Sequence, residues 1–211
     1  MASAIIHLAV AKVLEPYFDI KNKKDYYLGS IAPDIAKQIG KTKQQSHFLY
    51  NEKQDVPNIN LFTNKYPDFY KNNFNLGYYI HLFTDKLWFD KFLNTLVQSN
   101  SVRLIDGTLI NIQPEELSQL IYSDYTNLNI KIIEEYNMDL SLFYEEFEKP
   151  ETTIDEIPID KLDILIDKMG IIIENSTNEK NYIFDIYLIK NFIELTKERI
   201  LTEIKDYEQK S

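Results

Sequence analysis

The segment GYYIHLFTDKLWFD, residues 77–90, sets a histidine and a carboxylate, His81 and Asp85, four positions apart in an otherwise apolar run. At that spacing on a helix the two side chains share a face and can reach one point. A carboxylate taken out of water without a partner is costly, so a buried Asp85 must neutralise, pair or coordinate a cation. Two chemistries satisfy the spacing: a hydrogen-bonded core pair, and part of a metal site. The chain has three histidines, His7, His47 and His81, and none follows residue 81. His7 lies in the apolar AIIHLAVAKVL, where a core role is the simpler reading, and His47, in KQQSHFLY, reads as a loop residue. Asp34, after Pro33, has the pattern of a helix-capping aspartate. Cysteine is absent, which removes disulfides, thiolate ligands and a thiol nucleophile. The tripeptide GKT, residues 40–42, lacks the upstream glycine of a phosphate-binding loop.

The elements that must position these groups read as mostly helical. Ser3 caps a helix that runs to about Glu15 and ends at Pro16, with Ile6, Val10, Val13 and Leu14 on its apolar face. DYYLGSIAPDIAKQIG reads as a short helix or turn interrupted at Pro33, and residues 66–97 form the strongest helical stretch. SVRLIDGTLINI alternates around Asp106-Gly107 and reads as a small hairpin near 102–112. Pro114 then starts a helix to about Glu135, and further helices are expected near 139–147, 159–174 and 183–208. Helices 4–15 and 73–96, apolar round most of their circumference, belong at the centre. The expectation is an all-α fold of six to eight helices in a single domain, residues 1–211, with one small hairpin.

Composition narrows the function. A chain of 211 residues with 44% hydrophobic and 13% aromatic residues can bury a sizeable core, and seven prolines and five glycines leave no tract that reads as a linker. A formal charge of −10 argues against stable, sequence-independent nucleic-acid binding, which depends on Lys and Arg neutralising phosphates. The apolar N-terminal run lacks a basic lead segment and is too short to span a bilayer, so a cytoplasmic location without a transmembrane segment is expected.

Taken in order, AIIHLAVAKVL, YYLGSIAPDIAK, SHF and GYYIHLFTDKLW resemble the segments of the zinc-dependent phospholipase C family, including its small intracellular members. The resemblance covers about residues 4–92 and uses every histidine of the chain. It implies the helical architecture that this family shares with zinc-dependent single-strand nucleases. It further implies a metal site of His7, Asp34, His47, His81 and Asp85, with Asp34, His47 and His81 on a first zinc, Asp85 reaching towards a second, and His7 on that second ion. Imidazole and carboxylate donors suit zinc and are also compatible with manganese or iron. The chain departs from the secreted members in having six residues before His7 and in lacking the downstream histidines of a third zinc; Asp124 and Asn127, in YSDYTNLN, are the candidates for an added oxygen donor. Trp88, just beyond Asp85, is expected to pack beneath the site.

The activity that the resemblance implies is that of a metal-dependent phosphoric ester hydrolase with a phosphate-ester substrate, a phospholipid headgroup among the options. Asp34 would ligate metal and act on the attacking water as general base. With Arg103 and Arg199 outside the motifs, recognition of phosphate would rest on metal and lysines. Two alternatives stand beside this reading: a metal-stabilised binding or regulatory domain without turnover, and a phosphatase or nuclease acting on soluble phosphates.

Overall fold

The structure is a computed structural model and describes residues 1–98 and 100–209. Helix α1, Ala4–Leu14, starts where Ser3 Oγ accepts a hydrogen bond from the Ile6 N–H, and Pro16 converts its end into a 3-10 turn, Glu15–Tyr17. Helix α2, Lys23–Gly29, is followed by a 3-10 turn, Ala32–Asp34, containing Pro33, and by the one-turn α3, Ile35–Gln38. The stretch from residue 66 does not begin a helix: α4, Ile59–Lys65, ends at Tyr66, Pro67 follows, and the chain turns until the Asn72 side chain caps α5, Asn73–Leu87. Beyond Leu87 the backbone widens into a π-helical segment, Trp88–Leu93, before the short α6, Asn94–Leu96.

Strands β1, Val97–Gln98, β2, Ser101–Arg103, and β3, Leu109–Asn111, form a small antiparallel sheet in that order; Val102 pairs with Ile110 across the expected hairpin. Helix α7, Pro114–Glu135, has the boundaries that Pro114 predicts, and its N-terminus is closed by a capping box between Gln113 and Glu116. The helix expected near 139–147 reduces to one 3-10 turn, Ser141–Phe143. Helices α8, Asp163–Glu174, and α9, Ile186–Glu208, complete the chain.

A contiguous apolar core runs from Ala2 to Ile204. Helix α5 is its axis: every residue except Asn73 and Lys86 is buried. Helices α2 and α5 cross at two glycines. A Cβ on Gly77 would lie 2.1 Å from the Tyr26 carbonyl oxygen, and one on Gly29 would lie 2.2 Å from that of Phe74. The two backbones are therefore in contact, a distance only glycine permits. Trp88 packs against Phe92, Tyr125, Phe184 and Phe192, joining the end of α5 to α7 and α9. Among the described residues no helix is long and apolar enough to cross a membrane.

Candidate metal centre

The close crossing of α2 and α5 sets the first contact of the site. It brings the Ser30 carbonyl to 2.9 Å from His81 Nδ1, so that nitrogen carries the proton and donates. His81 Nε2 is left as a bare lone pair. His47 is fixed in the same way. Ser46 Oγ donates to the Lys43 carbonyl at 3.4 Å and accepts from His47 Nδ1 at 2.9 Å, which leaves His47 Nε2 bare as well. The Tyr78 hydroxyl, one turn before His81 on α5, donates to the Ser46 carbonyl at 2.6 Å and ties the His47 loop to the helix. Phe48, next in chain, is held at φ +54° inside a cage of Phe62, Tyr66 and Tyr78, a conformation that costs a bulky residue roughly 1–2 kcal/mol.

The two bare nitrogens face each other, His81 Nε2 to His47 Nε2 at 3.3 Å. Around them stand Asp34 Oδ1, 3.5 Å from His47 Nε2, and Asp85 Oδ2, 3.6 Å from His47 Nε2 and 3.7 Å from His81 Nε2. Both carboxylate oxygens are buried without a hydrogen-bond partner. Asp85 turns its other oxygen, Oδ1, away towards the Ala2 N–H at 2.9 Å and His7 Nε2 at 3.3 Å. The His7 ring stacks on that of His81 with centroids 3.8 Å apart. The five residues named in the sequence thus converge, and within them His7, Asp34 and His81, and separately His47, His81 and Asp85, each bring one donor atom per residue within 4.8 Å of one another.

Tetrahedral zinc, with ligands at about 2.0–2.2 Å, separates its donors by about 3.3–3.6 Å. The His47–His81, His47–Asp34, His47–Asp85 and His81–Asp85 edges, at 3.3, 3.5, 3.6 and 3.7 Å, lie in or close to this range, and the donors are of the right chemistry. Among the described residues no donor satisfies the two orphaned carboxylate oxygens, and a divalent cation is the kind of partner that they and the imidazole lone pairs would share. Asp85, using both oxygens in different directions, stands between this group and His7.

Burial works to raise the Asp34 pKa, but the adjacent imidazoles of His47, His81 and His7 outweigh it and hold the carboxyl at about 2. For Asp85 the same contest, with His7 as its main partner, ends well below the usual carboxylate range. Burial, then the neighbouring His7, pushes His81 down to about 3, so it is neutral at physiological pH as a ligand must be. Asp34 is the only member with appreciable solvent access, 15% of its side chain.

Asp124 and Asn127 direct their side chains to a different segment. Asp124 accepts the N–H groups of Tyr182, Ile183 and Phe184 at 2.7, 2.7 and 3.0 Å. Asn127 Oδ1 accepts from the Thr177 hydroxyl and the Glu179 N–H, and its amide donates to the Lys180 carbonyl. Their lone pairs hold the 176–184 loop, which excludes the expected role as added ligands. Trp88, expected to pack beneath the site, is buried among Phe92, Tyr125, Phe184 and Phe192, and its Nε1 has no partner. The sequence reading missed Ser30, Ser46 and Ala2, the groups that orient His81, His47 and Asp85; two of them act through backbone atoms, which leave no residue-type signal.

Comparison of the chain with family models, curated proteins and solved structures gave no match. Fold and site define a mostly helical protein with a buried His/Asp cluster suited to a metal ion.

Proposed function

We propose that this chain is a divalent-metal-dependent phosphoric ester hydrolase of the helical type represented by zinc-dependent phospholipase C. The observation that carries the reading is the pair of opposed Nε2 lone pairs on His47 and His81, bracketed by the orphaned oxygens of Asp34 and Asp85. A cation held there would supply Lewis-acid polarisation of a phosphoryl oxygen and a lowered pKa for bound water. His47, His81, Asp34 and Asp85 would hold it, and His7 supports Asp85 from the far side. Asp34 is ionised at neutral pH and alone reaches solvent, so it accepts a hydrogen bond from entering water and orients it towards the cluster. With its pKa near 2 it contributes orientation more than basicity. His7, His81 and Asp85, fully buried, keep the rest of the centre dry, where electrostatic effects are strongest.

The test is metal analysis by mass spectrometry of purified and zinc-reconstituted protein, followed by a panel of chromogenic phosphomonoesters and phosphodiesters. The expected result is at least one tightly held ion per chain and hydrolysis that chelation abolishes. Stoichiometric metal without turnover would favour a metal-stabilised binding domain; absence of metal after reconstitution would overturn the reading.

A further inference from the structure

A cavity of about 320 Å³ opens beside the cluster, between the N-terminal end of α1, α3, α7 and α8, and Asp34 forms part of its wall. Because Asp34 is the cluster's outlet to solvent, a molecule reacting there must occupy this space. Two exposed lysines, Lys37 on the turn after Asp34 and Lys168 on α8, also line it. Neither has a carboxylate partner among the described residues, although the chain carries a net charge of −10. The Lys37 ammonium is held 2.7 Å from the Tyr122 hydroxyl and lies over that ring, so its position is fixed in advance. Unpaired ammonium groups at the mouth of an acidic cluster attract an anion, and phosphate is an anion that lysine binds as a point charge.

The deeper wall has different chemistry. Ile31, Leu165 and Met169 are buried and apolar. Among them Asn129, 3% exposed, leaves its Oδ1 without a hydrogen-bond partner. The amide orientation is fixed by its neighbour: Ser176 Oγ gives its proton to the Ile172 carbonyl, so it can only accept, and it accepts from Asn129 Nδ2 at 3.3 Å. The free atom is therefore an acceptor, and with almost no accessible surface it is closed to a molecule in the cavity.

We infer that this cavity is the recognition site for a soluble phosphate ester whose compact, largely apolar organic group lies against Leu165 and Met169 and whose phosphate lies between Asp34, Lys37 and Lys168. The inference rests on the metal reading above. The two acyl chains of a membrane phospholipid are too bulky for the space, so the substrate is a small ester in solution and the selectivity lies in its organic group.

Titration calorimetry on the zinc-reconstituted protein, with zinc content measured on the same samples, tests this using inorganic phosphate, phenylphosphonate and phosphatidylcholine vesicles. Phenylphosphonate is expected to bind roughly tenfold or more tighter than phosphate, because it buries a ring. Met169→Trp, which narrows the apolar end of the cavity, should erase most of that advantage while leaving zinc content unchanged. Lys168→Met, a surface change with no folding risk, should weaken both anions by roughly threefold. Vesicles should not compete. Full zinc content with no preference for phenylphosphonate, or with an unaltered preference in Met169→Trp, overturns the cavity assignment alone. Competition by vesicles overturns the soluble-ester assignment, and zinc-free protein after reconstitution overturns the metal reading and this inference together.

Discussion

Two imidazole nitrogens 3.3 Å apart, each with its tautomer set from the far side of the ring, leave His81 little freedom to act as anything but a donor of electrons. His81→Ala removes a central member of that set while leaving Asp85 buried. The expected outcome is loss of stoichiometric zinc and of any chelator-sensitive stability, read by mass spectrometry and thermal melting. His7→Ala removes the contact to the outward oxygen of Asp85 and the ring stacked on His81 but none of the other four candidate ligands, so zinc should be retained while activity weakens. If His81→Ala keeps full zinc, His81 is merely a core partner of Asp85. Acid sensitivity belongs to the same residue. Burial, then His7, keeps native His81 unprotonated down to about 3, whereas in the unfolded chain it takes up a proton near 6.5. Between those values the unfolded state binds more protons, so stability rises with pH and is lost on acidification. Asp34, at about 2 against an ordinary value near 3.9, continues the loss below pH 4. The urea midpoint of metal-free protein should accordingly be lower at pH 5 than at pH 7.5.

At the scale of elements, the Gly29–Gly77 crossing is what places the Ser30 carbonyl on His81. Gly77→Ala would force a methyl group to 2.1 Å from the Tyr26 carbonyl, so α2 must move away. The expected cost is about 1–3 kcal/mol of stability. Zinc affinity should fall too, because the Ser30 contact opens; chemical denaturation and zinc titration measure the two effects. Elements with local signals were legible in the sequence. Ser3 and Pro16 bound α1, Pro114 opens α7, and Asp106-Gly107 marks the turn between β2 and β3. Those decided by distant packing were not. The start of α5 depends on Asn72 after a turned segment, and the Trp88–Leu93 widening obeys no spacing rule. The site divides similarly. His81 and Asp85 announce themselves by their four-residue spacing, while His47 reads as a loop residue because its approach depends on a left-handed Phe48 and a Tyr78 contact across 32 positions. Asn129 carries no sequence signal at all, since an unsatisfied acceptor exists only once its surroundings are packed.

For the whole molecule, the cluster gathers α1, the Pro33 turn, the His47 loop and α5 around one point, while α7 and α9 close over α1 and Trp88. A ligand that binds only this assembled state stabilises all of it by mass action, by about 4 kcal/mol when present at a thousand times its dissociation constant. For a chain of this size that corresponds to a rise in melting temperature of roughly 10 °C. Calorimetry with and without chelator should show a shift of that order, and equal melting temperatures would mean that no cation contributes to the native state.

The carboxylate of Asp124 gives the 176–184 loop an unusual kinetic character. Three successive amides, at Tyr182, Ile183 and Phe184, are held by one side chain rather than by a helix or sheet ladder. Their protons should therefore trade with deuterium from solvent as slowly as those of regular structure, opening as one unit rather than singly. Asp124→Ala should release all three at once, with the amides in the middle of α7 still protected. Mass-spectrometric deuterium uptake of peptides covering 180–186 reads this directly; unchanged protection would show that packing of Ile183 and Phe184, not the carboxylate, keeps the segment shut.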